Sequence, residues 1–319
     1  MKTLVVAAGL AAGLFCSTLA IAETKPTIAV IVNQTNSPYW QAVLAGARAA
    51  GTELGANISE LGDPSGSDAK SQSLLDKAVA SNPAAVIIAP AQFTGIGKSI
   101  DEAAKKVKVI GIDSPADTKA LTSLLMTDNV NAGRLAAEAL AKAITTTYGD
   151  TEGNVVIITA KPGVAALDQR AQGFKEVVGS KFKALDIVSD KTADGNPETV
   201  MNMMKDYIAN VSDLRGVFVT DPIMTQVVGQ AVAEKKSDDK INIIGVGSDE
   251  KLVKYLQDNT ISALIIEDPY RLGYMSVKTA LSASRGEQVA ALGSVEAALV
   301  TKVNLSSSHS QELLHPKVK

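Results

Sequence analysis

The chain repeats one pattern along most of its length: a short apolar run, a polar turn and then a longer, alanine-rich amphipathic stretch. Runs such as residues 86–88 and 155–158 are continuously apolar, which is typical of strands buried on both faces of a parallel sheet. Amphipathic stretches such as residues 39–54 predict the helices that connect such strands. Alternation of this kind predicts an α/β fold with helices on both faces of parallel sheets.

The pattern predicts more strands than one compact core accommodates, and it restarts after the run at residues 121–126. We therefore expect two Rossmann-like (flavodoxin-like) lobes. Predicted strands span residues 27–32, 58–61, 84–89, 107–112, 154–159, 184–189, 216–219, 241–246 and 261–266. Predicted helices span residues 39–54, 70–80, 96–104, 131–145, 166–178, 198–209, 224–234, 250–258 and 270–284.

The first 22 residues have the layout of a secretory signal peptide. Lys2 supplies a positive start, residues 4–21 are mostly apolar, and Ala20 and Ala22 are small residues at the positions that signal peptidase reads. The apolar stretch is borderline for a membrane anchor, which needs about 20 residues, and the Ala-x-Ala exit favours cleavage after Ala22. Phe15 before Cys16 argues against a lipid-modified cysteine.

Composition argues against several classes of function. Cleavage of the signal peptide would leave no cysteine, which excludes disulfides, thiolate metal sites and a cysteine nucleophile. The two histidines, His309 and His315, lie in a polar segment near the end of the chain, which argues against histidine triads and metal sites. The formal net charge is −3 and no basic tract occurs, which argues against nucleic acid as a partner.

Two stretches resemble nucleotide-binding motifs, and both are incomplete. Residues 95–99 end like a phosphate-binding loop, but Gln92 stands where that motif needs its first glycine. Residues 245–247 open like a dinucleotide fingerprint, but Glu250 occupies the position of its last glycine. Asp113 and Glu267 could form the carboxylate pair of a glycosidase, yet carboxylates that bind sugar hydroxyls explain both residues equally well.

The loops that follow the predicted strands are rich in polar and turn residues. Ligands of open α/β sheets bind beyond the carboxyl ends of the strands, which is where these loops lie. The loops comprise residues 33–40, 90–92, 113–115, 161–163, 194–196, 220–222, 247–249 and 267–269. One cleft fed by many polar loops suits a multiply hydroxylated ligand, because an unpaired buried polar group costs about 1–3 kcal/mol.

Several motifs in these loops and in the predicted elements beside them resemble the periplasmic sugar-binding proteins of ABC importers, of the ribose-binding type. They are residues 31–33 with 36–40, Ile112-Asp113, Thr127-Asp128-Asn129 with Gly133, Asp168-Gln169-Arg170 with Gly173-Phe174, and Ile244-Gly245. The resemblance covers essentially the whole chain after the signal peptide. It implies a type I periplasmic binding protein, in which two lobes are joined by a three-stranded hinge and clamp a sugar between them.

The resemblance also implies where the lobes divide. Crossings are expected near residues 126–127, 266–268 and 296–299. The N-terminal lobe would then comprise residues 23–126 and 268–297, and the C-terminal lobe residues 127–267 and 298–305. A last strand is expected at residues 299–305, followed by a polar tail at residues 306–319.

Four residues match positions of the family's sugar site, and each has a structural alternative. Tyr39 and Trp40 match the aromatic pair that sandwiches the sugar ring, or else they pack at a helix start. Asp113 matches the carboxylate that accepts hydrogen bonds from sugar hydroxyls, or else it caps a turn. Arg170 matches an arginine that donates up to five hydrogen bonds, or else it forms a surface ion pair. The other expected ligand contacts are Asn33, Ser37, Gln92, Thr220, Gly247 and Glu267.

Several positions depart from the family's pattern. They are Ser114 after Asp113 in place of an arginine, Gly195 in place of an aromatic residue, Thr220 in place of an amide, Gly247 in place of an aspartate and Glu267 in place of a glutamine. Three of these changes remove bulk or hydrogen-bonding capacity from the second lobe. They predict a wider pocket that favours a larger sugar, a sugar alcohol, an amino sugar or a furanosyl signal molecule over unmodified ribose.

The function that the resemblance implies is the periplasmic solute-binding component of an ABC importer. Hinge closure would capture a sugar or sugar-like molecule, and the closed protein would deliver it to a permease in the inner membrane. The alternative is a periplasmic sensor that presents a sugar, polyol or furanosyl signal molecule to a chemoreceptor or histidine kinase. In both cases we expect a monomer with no cofactor, no metal and no enzymatic activity.

Overall fold

The computed structural model describes residues 25–64, 70–90, 93–237 and 240–316; the expected signal peptide lies outside these ranges. The strands within them are β1 Thr27–Gln34, β2 Asn57–Asp63, β3 Ala85–Ile88, β4 Lys108–Ile112, β5 Ser123–Thr127, β6 Gly153–Thr159, β7 Leu185–Thr192, β8 Leu214–Val219, β9 Asn242–Val246, β10 Ala263–Ile266, β11 Leu292–Val295 and β12 Ala298–Thr301. The helices within them are α1 Pro38–Leu54, α2 Ser71–Ala80, α3 Gly97–Ala104, α4 Asn129–Tyr148, α5 Ala165–Lys181, α6 Pro197–Asn210, α7 Pro222–Glu234, α8 Glu250–Gln257, α9 Pro269–Ser284 and α10 Ser308–Leu314.

The strands of the described residues form two six-stranded sheets with the same internal order. The first sheet runs β2-β1-β3-β4-β5-β11 and the second runs β7-β6-β8-β9-β10-β12. All pairs are parallel except β10 with β12, which is antiparallel. The predicted fold class, an α/β protein with two lobes built on parallel sheets, is confirmed.

Each sheet is covered by helices on both faces, as its continuously apolar strands require. Ile87 and Ile88 in β3 are both fully buried, and they belong to different hydrophobic clusters because neighbouring strand residues point to opposite faces. Ile157 and Ile158 in β6 divide in the same way between the two clusters of the second sheet. No helix in the described part of the chain is both long enough and apolar enough to cross a membrane.

Within the described residues the chain passes between the sheets three times. The passages lie between β5 and α4, between β10 and α9, and between β11 and β12. Asp128 and Asp268 are the N-cap residues of α4 and α9, and each carboxylate accepts a backbone N–H of the first turn. The backbone N–H of Asp128 also donates to the carbonyl of Val295 at 2.9 Å, which joins the first passage to the third.

The end of the chain differs from the expectation. The last strand stops at Thr301, because the side chain of Asn304 folds back to accept from the Thr301 backbone N–H and to donate to the carbonyl of Leu299. The following segment, which was expected to be a polar tail, contains the helix α10. Leu313 and Leu314 on α10 are 7% and 8% exposed and pack into a core cluster of the second sheet.

Candidate functional site

Tyr39 and Asp113 form a hydrogen-bonded pair at the carboxyl ends of the strands in the first sheet. Tyr39 lies in the first turn of α1, which opens with Pro38, and Asp113 directly follows β4. The Tyr39 hydroxyl donates to Asp113 Oδ1 at 2.7 Å, and the Ser114 hydroxyl donates to Asp113 Oδ2 at 3.0 Å. Asp113 has a left-handed backbone conformation with φ of 68°, a rare geometry that often occurs at functional sites.

The electrostatic surroundings of this pair include residues of the second half of the chain. Burial raises the pKa of the Asp113 carboxyl above its usual value, the hydroxyls of Tyr39 and Ser114 oppose that rise, and the charge of Glu267 adds to it. Burial and the charges of Asp113 and Glu267 hold the pKa of Tyr39 well above its usual value, so the phenol remains a donor. Arg170 also lowers the pKa of Asp113, so Arg170 and Glu267 act on Asp113 across the cleft.

Arg170 is the centre of a second network, on the side of the second sheet. It lies on α5 and is 4% exposed. Its Nε donates to Asn129 Oδ1 at 2.8 Å, its Nη1 to the carbonyl of Thr220 at 3.1 Å, and its Nη2 to Glu267 Oε1 at 2.7 Å. Each partner follows a strand of the second half or begins a helix at a passage between the sheets. Arg170 is therefore not in the surface ion pair that was its structural alternative.

Asn129 is a member of this network that was not among the expected ligand contacts. It is 5% exposed, and its Nδ2 donates to the carbonyl of Thr127 at 3.1 Å, which turns its Oδ1 toward Arg170. The sequence placed the start of this helix at residue 131, inside the observed α4. Treating Asp128 as an N-cap would have placed Asn129 at the first helical position and revealed its location at the passage.

Thr220 contains the one buried side-chain polar atom of the described residues that lacks a hydrogen-bond partner. The residue is fully buried and follows β8, and its carbonyl accepts from Arg170 while its Oγ1 has no partner. An orphaned buried hydroxyl costs about 1–3 kcal/mol.

The remaining expected contacts are placed less centrally. Trp40 is 8% exposed and packs edge-on against Tyr39, with ring centroids 5.0 Å apart, within a core cluster. Asn33 and Ser37 are half-buried, at the end of β1 and at the N-cap of α1. Gly247 follows β9 with φ of 125°, a conformation that favours glycine. Gln92 lies outside the described residues.

The geometry suits a polyhydroxylated ligand. Two carboxylates, a guanidinium, a phenol and an orphaned hydroxyl lie at the carboxyl ends of strands from both sheets. A sugar hydroxyl can both donate and accept hydrogen bonds. It can donate to the carboxylates of the site and accept from the guanidinium. In the part of the chain that the structure describes, no three His, Cys, Asp or Glu residues lie together as a metal ion would require.

Comparisons with known proteins identify a family that this chain matches over most of its length. A sequence model of the family described as "periplasmic binding protein domain" matches residues 28–288. The ribose import binding protein of Escherichia coli is 25% identical over 304 residues, which cover 95% of this chain and 98% of that protein.

Two solved structures of sugar-bound proteins are also similar. A carbohydrate transporter solute-binding protein of Agrobacterium radiobacter, in complex with D-arabinose, is 47% identical with a TM-score of 0.76, and the match covers 92% of this chain and all of that one. An ABC transporter solute-binding protein of Agrobacterium vitis, bound to α-D-tagatopyranose, is 25% identical with a TM-score of 0.76, and the match covers 91% and 99% of the two chains.

Proposed function

The chain belongs to the periplasmic binding protein family, and on that premise we propose that it is the solute-binding component of an ABC importer that captures a monosaccharide between its lobes. The family implies a periplasmic location, and its members that match this chain are sugar-binding transport proteins rather than enzymes. The permease that would receive the sugar, the cleavage of the signal peptide after Ala22 and the monomeric state are parts of the same proposal.

The observation that carries the proposal is the convergence of polar groups from both halves of the chain. The Tyr39–Asp113 pair belongs to the first sheet's side, and the Arg170 network belongs to the second. Thr220 adds a buried hydroxyl without a partner. We assign ligand contacts to the ten residues expected from the sequence, namely Asn33, Ser37, Tyr39, Trp40, Gln92, Asp113, Arg170, Thr220, Gly247 and Glu267.

The lobes of this proposal follow the two sheets. Residues 23–126 and 268–297 form the N-terminal lobe, and residues 127–267 and 298–305 form the C-terminal lobe. Sheet membership supports this division, because β11 joins the first sheet and β12 joins the second. A hinge at the three passages would close the cleft, and the ligand would favour the closed form by its contacts with both lobes.

The relatives favour a sugar with five or six carbon atoms. The Agrobacterium radiobacter protein binds D-arabinose and shares nearly half of its residues with this chain, so D-arabinose is the first ligand to test. The departures at Thr220, Gly247 and Glu267 separate this site from the ribose pattern. Within the monosaccharides, we therefore propose a preference for a sugar other than ribose.

Trp40 provides the test, because it is the only tryptophan of the chain. The mature protein is titrated with pentoses, hexoses, polyols and furanosyl compounds while tryptophan fluorescence and thermal melting are followed. A ligand that binds only the folded protein stabilises it by about 2.7 kcal/mol at a concentration 100 times its Kd. We expect D-arabinose to raise the melting temperature and to change the fluorescence saturably.

The outcomes of this titration separate two conclusions. If a compound raises the melting temperature without a change in fluorescence, the protein binds that compound but Trp40 does not contact it. If no compound of the panel changes either the melting temperature or the tryptophan fluorescence, the result would contradict the proposed function.

A further inference from the structure

The guanidinium of Arg170 is only partly used by the protein. It carries five N–H donors, and three of them bond to Asn129, Thr220 and Glu267. Two donors, one on Nη1 and one on Nη2, have no partner among the described residues and remain for a ligand. Their direction depends on the partners of the other three, because the guanidinium is a rigid plane.

Glu267 is the one charged group among these three partners. Asn129 and Thr220 accept through a neutral amide and a neutral carbonyl. The side chains of Arg170 and Glu267 are 5% and 26% exposed, so water screens their ion pair weakly. Charge-assisted hydrogen bonds are shorter and roughly twice as strong as neutral ones, which makes Glu267 the dominant constraint on the arginine.

Asp113 is a competing partner for the same arginine. The charge of Arg170 lowers the pKa of Asp113, so the two residues interact across the cleft without a hydrogen bond between them. The loss of Glu267 would leave Asp113 as the carboxylate that acts on the buried guanidinium, and a buried charge without a close partner is costly.

The location of Glu267 extends its effect beyond one side chain. It follows β10 at the second passage between the sheets, and Asn129 begins α4 at the first passage. The Arg170 guanidinium bonds to both residues and so joins two of the hinge segments. A ligand that contacts Arg170 therefore contacts a guanidinium that is bonded to residues at the first and second passages.

We propose that Glu267 is a positioning residue that holds the Arg170 guanidinium on the C-terminal lobe in its ligand-competent orientation. This inference rests on the proposed function, in that the ligand is a sugar bound between the lobes. On this inference, Glu267 orients the Arg170 guanidinium already in the ligand-free protein. A residue that only contacts the sugar would have no such role.

The Nε–H group of Arg170 reports its orientation in the ligand-free protein. Its hydrogen bond to buried Asn129 should make it exchange slowly with solvent, and its NMR signal is identified by its loss in Arg170→Lys. Glu267→Ala should speed this exchange at least tenfold and weaken D-arabinose binding roughly tenfold or more, because hydrogen bonds to charged groups are the strong ones. Glu267→Gln, which keeps a neutral acceptor but removes the charge, should restore only part of both properties, with Arg170 exchange slower than in Glu267→Ala and faster than in the wild type.

Glu176→Ala is the matched control. Glu176 lies on the same helix as Arg170 and pairs with Arg134 at 2.7 Å, but both side chains are about half exposed, at 40% and 48%. Surface pairs of this kind contribute little to stability. This control should change neither the Arg170 exchange rate nor the D-arabinose affinity by more than about twofold.

The readouts separate the possible failures. Weakened binding in Glu267→Ala with wild-type Arg170 exchange would show that Glu267 only contacts the ligand, and it would overturn the inference. The inference would also be overturned if neither the Arg170 exchange rate nor the D-arabinose affinity changes in Glu267→Ala. If Glu267→Ala does not fold, exchange in Glu267→Gln that is no faster than in the wild type refutes the inference. A wild-type protein that binds no sugar would refute the proposed function, while exchange in the ligand-free variants would still test the positioning role.

Discussion

Asp113→Asn separates the contribution of Asp113 to ligand binding from its contribution to stability. The side chains have nearly the same shape, and asparagine tolerates the left-handed backbone that Asp113 adopts at φ of 68°. The amide oxygen can still accept from the Tyr39 hydroxyl. The substitution therefore removes the charge and the second acceptor oxygen while it leaves the backbone in place.

The effect on binding follows from the acceptor sites that remain. An ionised carboxylate has about four lone-pair positions, and Tyr39 and Ser114 occupy two of them. Asparagine offers two positions on one oxygen, and Tyr39 occupies one. The loss of one charge-assisted bond to the ligand costs about 1.5–3 kcal/mol, so the Kd for D-arabinose should rise roughly 10- to 100-fold.

The effect on stability has the opposite sign. Burial raises the pKa of Asp113 in the folded protein, so ionised Asp113 lowers stability at pH values above that raised pKa. The loss disappears as the pH falls below the unfolded value of about 3.9. Without ligand, Asp113→Asn should be at least as stable as the wild type at pH 7. The wild type should also lose sugar affinity on acidification, beginning above the pH at which an ordinary aspartate titrates.

Calorimetric titration and thermal melting at pH 7 and at pH about 5 measure these effects. Asp213→Asn is the control, since Asp213 is also an aspartate with positive φ, at 48°, but it lies exposed beside Arg215 and away from the strand ends of the cleft. It should leave the Kd unchanged. Wild-type affinity in Asp113→Asn, or a clear loss of its ligand-free stability at pH 7, would refute the reasoning.

Three further substitutions test the packing and the site. Gly133→Ala places a Cβ against a carbonyl of the neighbouring helix and should destabilise the protein by about 2 kcal/mol or more in urea unfolding. Its control is Gly179→Ala, whose Cβ would meet no atom of the described residues within 4 Å and which should stabilise the protein by about 0.5–1 kcal/mol. Leu314→Ala should cost about 2–4 kcal/mol in the same assay if α10 is packed, and almost nothing if it is a solvated tail. Tyr39→Phe should weaken sugar binding several-fold by calorimetry, because Asp113 loses a donor that holds it in place; unchanged affinity would exclude that role.

Most of the fold could be predicted because its strands are buried on both faces. Such strands appear as unbroken apolar runs, which survive in the sequence whatever their neighbours are. Helix starts were less well placed. The sequence pattern predicted that four helices begin at residues 39, 198, 224 and 270. In the structure these helices begin at Pro38, Pro197, Pro222 and Pro269. Proline fits the first helical turn, where its missing N–H would have no partner, so each helix extends back to its proline.

The helix α10 could not be predicted from local pattern. Seven residues with two adjacent leucines do not establish a helical period, and an isolated helix of that length is unstable in water. It forms because Ser307 caps its first turn and because Leu313 and Leu314 pack against the second sheet. The second cause depends on the folded lobe, which the sequence of the segment does not contain.

The assignment of the expected contact residues to a ligand site stays a prediction, and the sequence did not predict which of them are paired. Residues that follow strands could be assigned to the cleft from topology alone, because parallel strands share one carboxyl edge. The partners of Arg170 lie 41, 50 and 97 positions away along the chain, so no local pattern joins them. The carboxylate of Glu267 was expected to face the ligand, and only the structure shows that one of its oxygens is bound by the arginine.

One helix-crossing arrangement occurs in both lobes and explains how these distant residues are held in place. The crossing glycines and the carbonyls that a Cβ on each would strike are Gly46 with Tyr270, Gly273 with Val43, Gly133 with Arg170, and Gly173 with Val130. In every case the struck carbonyl lies three residues before the partner glycine, so each pair of helices is in close reciprocal contact. The crossings fix the helices that carry Tyr39 and Arg170. These glycine contacts thus help to hold the backbone from which Tyr39 and Arg170 project. We therefore expect that substitutions in the loops, such as at Thr220 and Glu267, change the preference for a ligand while the helix crossings stay intact.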